Sequence, residues 1–354
     1  MSKAKKLSPA YESSSLVTAA AKESLKQRLK AAWRYAPKAA KKANEDIEYV
    51  HQLRVSVRRA NAAIELYASL LPRQQRRLVN KQLRSLRKAA GQARDLDILQ
   101  LRLHKLDPKS SSKEFGALLD FVKLQRKRAQ RDIKRGYAKA KRQDFQANAK
   151  RLLKSVKWRG DGEQPDFGTF ARTAFEPMVE RFFAAAAVDM SDIEMLHQLR
   201  IEGKNIRYAI DLLSPAFCGK FTKQNTATFV VLQDKLGTIN DHASAIAFYQ
   251  GLLKTKGTRD CKSAIKEMVE FEKKELEATR ADFASWWSDR RVAEMRKQFT
   301  MVLSASGAAD KVATDIAATD IATTTESDTA GSDAADSDAV SQDDAAGKEA
   351  AKAN

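Results

Sequence analysis

Cysteine, aromatic residues and turn formers are all scarce in this 354-residue chain, and it has no long apolar run. Its two cysteines, Cys218 and Cys261, show no metal-like pairing. That excludes a disulfide framework and a zinc ribbon, and it fits buried thiols in a reducing compartment. Aromatics make up only 7% of residues, few for a protein that stacks on nucleic acid bases. With 14 Gly and 7 Pro, the chain has little material for the frequent sharp turns of a β architecture. What it has instead is Ala, Leu, Lys, Arg and Gln in long runs, which favours an all-helical fold. No stretch approaches the ~20 apolar residues of a membrane span. Met1 to Ser15 is basic, but no apolar segment of signal-peptide type follows it. A cytoplasmic protein is expected.

Charge is abundant and lopsided. The whole chain carries +19, yet residues 304–354 hold eleven Asp/Glu against three Lys/Arg, a net of −8, which leaves residues 1–303 at +27. A field of that sign calls for an anionic partner: nucleic acid, an anionic membrane or a polyphosphorylated ligand.

The pattern of apolar residues divides the chain into a basic N-terminal extension (1–13), a helical body (14–303) and an acidic tail (304–354). The body has two halves, about 14–158 and 166–303, joined by Arg159-Gly160-Asp161-Gly162-Glu163-Gln164-Pro165. The first half predicts five helices: about 16–43, 46–70 (stopped by Pro72), 73–90 (ended by Gly91), 94–106, and 113–157 after the loop 107–112. The second predicts helices at about 167–187, 191–214, 221–235, 241–254 and 258–302. There Ser191 and Glu194 have the spacing of a capping box. Short connections imply antiparallel neighbours and hence two similar bundles of about five helices each. The tail has almost no large apolar residue and is expected to be disordered.

The halves share more than a plan. Asp46-Ile47-Glu48-Tyr49-Val50-His51-Gln52-Leu53-Arg54 returns as Asp192-Ile193-Glu194-Met195-Leu196-His197-Gln198-Leu199-Arg200, a shift of 146 positions. The same shift carries Leu86, Gly91 and Asp95 onto Leu232, Gly237 and Asp241, the signature of a tandem duplication. In each copy, residues at i, i+3 and i+7 share one helix face. His51, Arg54 and Arg58 meet that rule, with Arg59 beside them, and so do His197, Arg200 and Lys204, followed by Arg207 and Tyr208. Val50, Leu53, Val57 and Ile64 fill the complementary face of one helix, and Leu196, Leu199, Ile206 and Ile210 that of the other. The third helix adds a ladder of Arg73, Arg77, Lys81, Arg84 and Arg87, whereas its counterpart offers only Lys220, Lys223 and Lys235. Arginine forks hold two phosphate oxygens at once and lysine adds a mobile point charge, so these faces suit a strongly anionic ligand.

A basic stripe on one helix is ordinarily a solvated face. A stripe kept twice at one offset, among diverged surface positions, argues for a site. His104 and His242 stand outside the repeat and read as structural. Gly91 and Gly237 read as helix ends. Asp95 and Asp241 read as caps of the next helix or as partners that orient a basic neighbour. Asp95-Leu96-Asp97 has the form of a metal-binding pair, but the second copy reads Asp241-His242-Ala243, so no metal is expected. Trp286 and Trp287 read as core. No nucleophile–base pair, phosphate-binding glycine loop or zinc spacing occurs, so neither catalysis nor a cofactor is expected.

Taken together, Val50-His51-Gln52-Leu53-Arg54-Val55-Ser56-Val57-Arg58-Arg59, Leu196-His197-Gln198-Leu199-Arg200-Ile201-Glu202-Gly203-Lys204-Asn205-Ile206-Arg207-Tyr208, Gly91-Gln92-Ala93-Arg94-Asp95 and Gly237-Thr238-Ile239-Asn240-Asp241 resemble the CHAD family, the conserved-histidine α-helical domain. The resemblance spans about residues 10–303. It implies two helical bundles related by a pseudo-twofold around a basic central groove or channel that binds inorganic polyphosphate, and a place on polyphosphate granules. The matching positions are His51, Arg54, Arg58, Arg59, His197, Arg200, Lys204 and Arg207. Arg77, Lys81, Arg84 and Lys223 join them as candidates on charge. Many relatives carry an N-terminal CYTH triphosphatase domain. The one Glu-x-Glu-x-Lys string, Glu270-Phe271-Glu272-Lys273-Lys274, lies in a helical pattern of the second half and not before the first helix, so that route to catalysis is not implied. The competing expectation is a nucleic-acid-binding or nucleoid-associated protein, and other polyanions, nucleic acid included, are expected to bind at low salt. The acidic tail is expected either to lie weakly in the basic site or to act as a plain solubilising segment.

Overall fold

In a computed structural model, residues 11–106, 112–187 and 192–304 are described. Most of the N-terminal extension, most of the loop before the fifth helix, Ser191 and nearly all of the acidic tail therefore lie outside the described residues. The fold is all-α. Eleven α-helices are present among the described residues: α1 (Val17–Lys41), α2 (Glu48–Leu66), α3 (Arg73–Ala89), α4 (Gly91–Leu106), α5 (Lys113–Arg142), α6 (Phe145–Lys154), α7 (Phe167–Ala186), α8 (Ile193–Leu213), α9 (Gly219–Leu253), α10 (Lys262–Trp286) and α11 (Asp289–Ser304).

The 146-residue shift holds for the helices as well as the motifs. It carries α2 onto 194–212, where α8 lies, and α5 and α6 onto 259–288 and 291–300, where α10 and α11 lie. It carries α3 onto 219–235 and α4 onto 237–252, which together make up the single helix α9. Three expectations are corrected here. Gly237 ends nothing; it sits buried in the middle of α9, because a lone glycine lowers helix stability by only about 1 kcal/mol and packing on both sides outweighs that. Gly91 opens α4 instead of closing α3. The long fifth helix breaks at Asp144, whose φ of 49° is left-handed, and its counterpart breaks after Trp286.

Packing follows composition. α1 turns Leu25, Leu29, Ala32, Ala36 and Ala39 inward, and α2 meets it with Ala60 and Ala63, all buried. Small residues on both sides let the two axes approach closely. The second half packs rings instead: Phe175, Phe183, Phe221 and Phe229 surround Phe299 at centroid distances of 5.3–6.0 Å. Trp286 and Trp287 stack at the α10–α11 corner against the core, in keeping with their reading. One connected apolar core runs through both halves.

The halves are tied at several levels. Residues before α1 and α7 pair in an antiparallel bridge, Leu16 with Asp166, in which Phe167 N donates to Ser15 O at 2.7 Å and Val17 N to Pro165 O at 3.3 Å. α1 touches α7, α2 touches α8, and α5 touches α10, so each of these helices meets its own counterpart. Side chains close the helix starts. Asp192 caps α8 by accepting from Glu194 N at 2.8 Å, and Ser112 caps α5.

Asp166 caps α7 through Thr169 N at 2.8 Å, a bond that, with others to Thr169 and Gly168, holds its carboxyl below the usual aspartate range. Asp166→Ala should therefore lower the unfolding free energy by about 1 kcal/mol in urea denaturation. Because the folded value is depressed, this contribution is complete above the ordinary aspartate pKa of about 4 and is lost as pH falls through the lowered one. An unchanged midpoint at neutral pH would refute the assignment.

Candidate functional site

α2 and α8 are in contact, and each keeps one partly open stripe, with Glu48, Arg59 and Glu65 exposed on α2 and Glu194, Gln198, Ile201 and Asp211 exposed on α8. The predicted apolar positions Val50, Leu53, Val57 and Ile64 on α2, and Leu196, Leu199, Ile206 and Ile210 on α8, are all buried. The basic stripe was expected to face outward, but it too is largely enclosed. His51, Arg54 and Arg58 are 8%, 4% and 9% exposed, and Arg200 only 1%. His197, Lys204 and Arg207 are half-buried, and Arg59 is exposed. The reason is that α2 packs on α1, α3, α4 and α8 at once, which covers the face that carries His51, Arg54 and Arg58.

Each stripe is tied to the helix that follows it, at matching positions. Arg54 Nη1 donates to Arg87 O at 3.5 Å, while Gln233 Nε2 donates to Arg200 O at 3.3 Å. Arg87 and Gln233 are themselves 146 apart. His197 Nδ1 lies 3.3 Å from Asn240 Oδ1. A Cβ on Gly91 would sit 3.2 Å from Arg54 Nη1, so glycine there gives the guanidinium room.

Asp95 and Asp241 lie inside α4 and α9, so neither caps a helix; the alternative reading, a partner for a basic neighbour, fits them better. Arg94 is buried among Asp97, Glu48, Asp241 and Asp95. Burial lowers its pKa, and the four carboxylates oppose that shift. An acid of the second half thus faces a guanidinium of the first.

Three charged groups escaped the sequence reading, Arg102, Arg126 and Glu272, and Arg94 entered it only as part of the Gly91–Asp95 motif. Glu272, 1% exposed, accepts from Arg102 Nη1 at 2.8 Å and pairs with His242, which makes His242 structural as expected. Its charge also adds to burial in raising the Tyr249 phenol above its ordinary range. Arg126 Nε binds Asp97 at 2.5 Å, and burial still pushes the Asp97 carboxyl upward. Arg126 also holds Gln130, whose amide donates to Ala39 O and Ala40 O at the end of α1. Arg126 and Glu272 are 146 apart, the same helix position with opposite charge. His104 is exposed in the last turn of α4.

Two cavities adjoin α2. The larger, about 580 Å³, lies between α2 and α3 on one side and α7 and α8 on the other, and Arg58, Arg87, Arg181, Asn205 and Tyr208 reach it. The second, about 440 Å³, runs along α3 and is lined by Arg76, Arg77, Asn80, Lys81 and Arg84. Glu65 lines both. The structure therefore places Arg77, Lys81 and Arg84 together, and Arg58 with Tyr208. Arg59 and Lys223 are exposed and line neither of these cavities.

The CHAD domain family matches residues 23–250, from α1 through most of α9. The chain belongs to the CHAD family. Solved structures agree on the fold. The CHAD domain from the plant Ricinus communis aligns with a TM-score of 0.62 at 18% identity, covering 82% of this chain and 94% of that one. PptA from Streptomyces chartreusis aligns with a TM-score of 0.55 at 19% identity, covering 77% and 99%. No curated protein matches the chain. The CHAD match takes in every candidate site residue, whereas α10 and α11 lie beyond it. No helix among the described residues is long and apolar enough to cross a membrane.

Proposed function

We propose that this CHAD protein binds inorganic polyphosphate along the seam between α2 and α8, and that it does so as a binder and not as an enzyme. The observation that carries the proposal is the pair of His-x-x-Arg-x-x-x-(Arg/Lys) stripes on two helices in direct contact, within a family linked to polyphosphate. Counterpart helices touch at α1–α7, α2–α8 and α5–α10, and the segments before α1 and α7 pair antiparallel, which supports a pseudo-twofold relation. Such a seam suits polyphosphate in particular. A linear phosphate chain reads the same from both ends, so two equivalent basic stripes can engage it in either direction. Nucleic acid has polarity and bases, and no aromatic ring is among the exposed large apolar side chains of the described residues. A place on polyphosphate granules in the cytoplasm follows from this reading.

Binding should be strongly salt-dependent. With about seven cations engaged and a coefficient of about −0.7 per neutralised charge, log K against log salt should fall with a slope near −5. Competition of long-chain polyphosphate against DNA and RNA at one salt concentration should rank polyphosphate first. A slope shallower than about −2, or DNA preferred at equal charge, would overturn the proposal. Steady release of orthophosphate over hours would overturn the non-enzymatic part.

A further inference from the structure

The two cavities differ in chemistry and share a wall. Much of the larger one is carbon: Leu66, Met178 and Leu212 line it, with Ala62 on the α2 side and Ala174 on the α7 side. At about 580 Å³ it falls within the roughly 300–1,000 Å³ range of small-molecule sites. Bare polyphosphate has nothing to place on such a floor. A lipid-like tail would fill it but would leave Asn61 unserved, because Asn61 Oδ1 is buried at this cavity with no hydrogen bond from the protein. An occupant is required that combines an apolar body with hydrogen-bond donors on its edge.

The neighbouring cavity asks for charge. Arg76, Arg77, Lys81 and Arg84 converge on it from one helix. Glu65 stands between the two, bound to Asn80 Nδ2 at 2.7 Å and to Arg76 at 3.4 Å. A carboxylate offers about four lone-pair positions, so both bonds leave acceptor capacity for a pair of hydroxyls. The order across the surface is therefore an apolar chamber with an unserved acceptor, then a carboxylate, then four cations. A nucleobase, a ribose diol and a phosphate chain have the same order.

We propose that these two cavities form a nucleoside-polyphosphate site, with the base in the chamber, the ribose hydroxyls on Glu65 and the phosphates on the α3 cations. Arg181, whose side chain is 56% exposed at the chamber mouth, has a planar guanidinium able to stack on the base. The site does not depend on polyphosphate binding at the α2–α8 seam, although a nucleotide held there would compete with polymer for Arg77, Lys81 and Arg84.

The test is calorimetric titration of the full-length protein with ATP, inorganic tripolyphosphate and 2′,3′-dideoxy-ATP at one moderate salt concentration. ATP should bind at least tenfold more tightly than tripolyphosphate, and the dideoxy compound several-fold more weakly than ATP. Ala174→Phe, which fills the chamber, should abolish the preference for ATP while leaving tripolyphosphate within about twofold. Ala62→Phe fills it from the opposite wall, should either variant fail to fold. Tripolyphosphate binding as tightly as ATP, or an ATP preference that survives a folded chamber-filling variant, would overturn the proposal. Failure of long polyphosphate to bind would sink the seam reading and leave this comparison intact.

Discussion

Glu272→Ala should lower the unfolding free energy by about 3–5 kcal/mol in guanidinium denaturation. Glu272 is 1% exposed and answers both Arg102 on α4 and His242 on α9. Removing it leaves a partly buried guanidinium and a buried imidazole facing a void without their shared counter-charge. The pair is costly to break, which does not make it a large net source of stability. Replacing Arg102, His242 and Glu272 together by Met, Leu and Met should cost far less than the single change, because no charge is then orphaned. A loss below about 1 kcal/mol for Glu272→Ala would mean that water already reaches the group.

Much of this fold could be read from the chain because helical periodicity and the 146-residue repeat reinforce each other. α2, α3, α7 and α8 fall close to their expected bounds. The misreadings are local and have physical causes. Asp144 takes a left-handed turn that glycine more often supplies, so nothing in the pattern marks the α5–α6 break. Gly237 invites a break that α9 does not make, since Leu232, Leu236 and Ile239 around it are buried and hold the helix straight through.

The site was legible in its residues and not in its exposure. Periodicity places His51, Arg54 and Arg58 on one face but cannot say that another helix covers that face. The cross-half network was invisible for a sharper reason. A repeat is found by identity, and the equivalent positions Arg126 and Glu272 carry opposite charges, so comparing the copies hides them. Arg102 corresponds to Phe248 and His242 to Leu96, which removes the remaining signal. Arg181 and Asn61, both at the larger cavity, lie on faces that only the packing of α7 against α8, and of α8 against α2, brings together.

Burial also reverses one expectation about the central arginines. Were the stripe solvent-exposed, Arg54→Ala with Arg200→Ala would weaken polyphosphate binding and leave the melting temperature almost unchanged. At 4% and 1% exposure, both side chains are part of the packed interior, and their loss should cost roughly 3 kcal/mol or more of stability. Binding should fall as well, by roughly 2–4 kcal/mol, because each guanidinium contributes a charge-assisted contact and the two are not fully additive. The salt dependence separates the two roles. If both arginines neutralise phosphate, the slope of log K against log salt should become shallower by about 1.4, two charges at about 0.7 each. If they only hold α2 and α8 in place, affinity falls with the folded fraction and the slope stays put. Titration well below the variant's melting temperature, with helicity checked by circular dichroism, isolates that slope. An unchanged slope in folded protein would move the phosphate contacts to Arg58, Lys204 and Arg207, leaving Arg54 and Arg200 as supports.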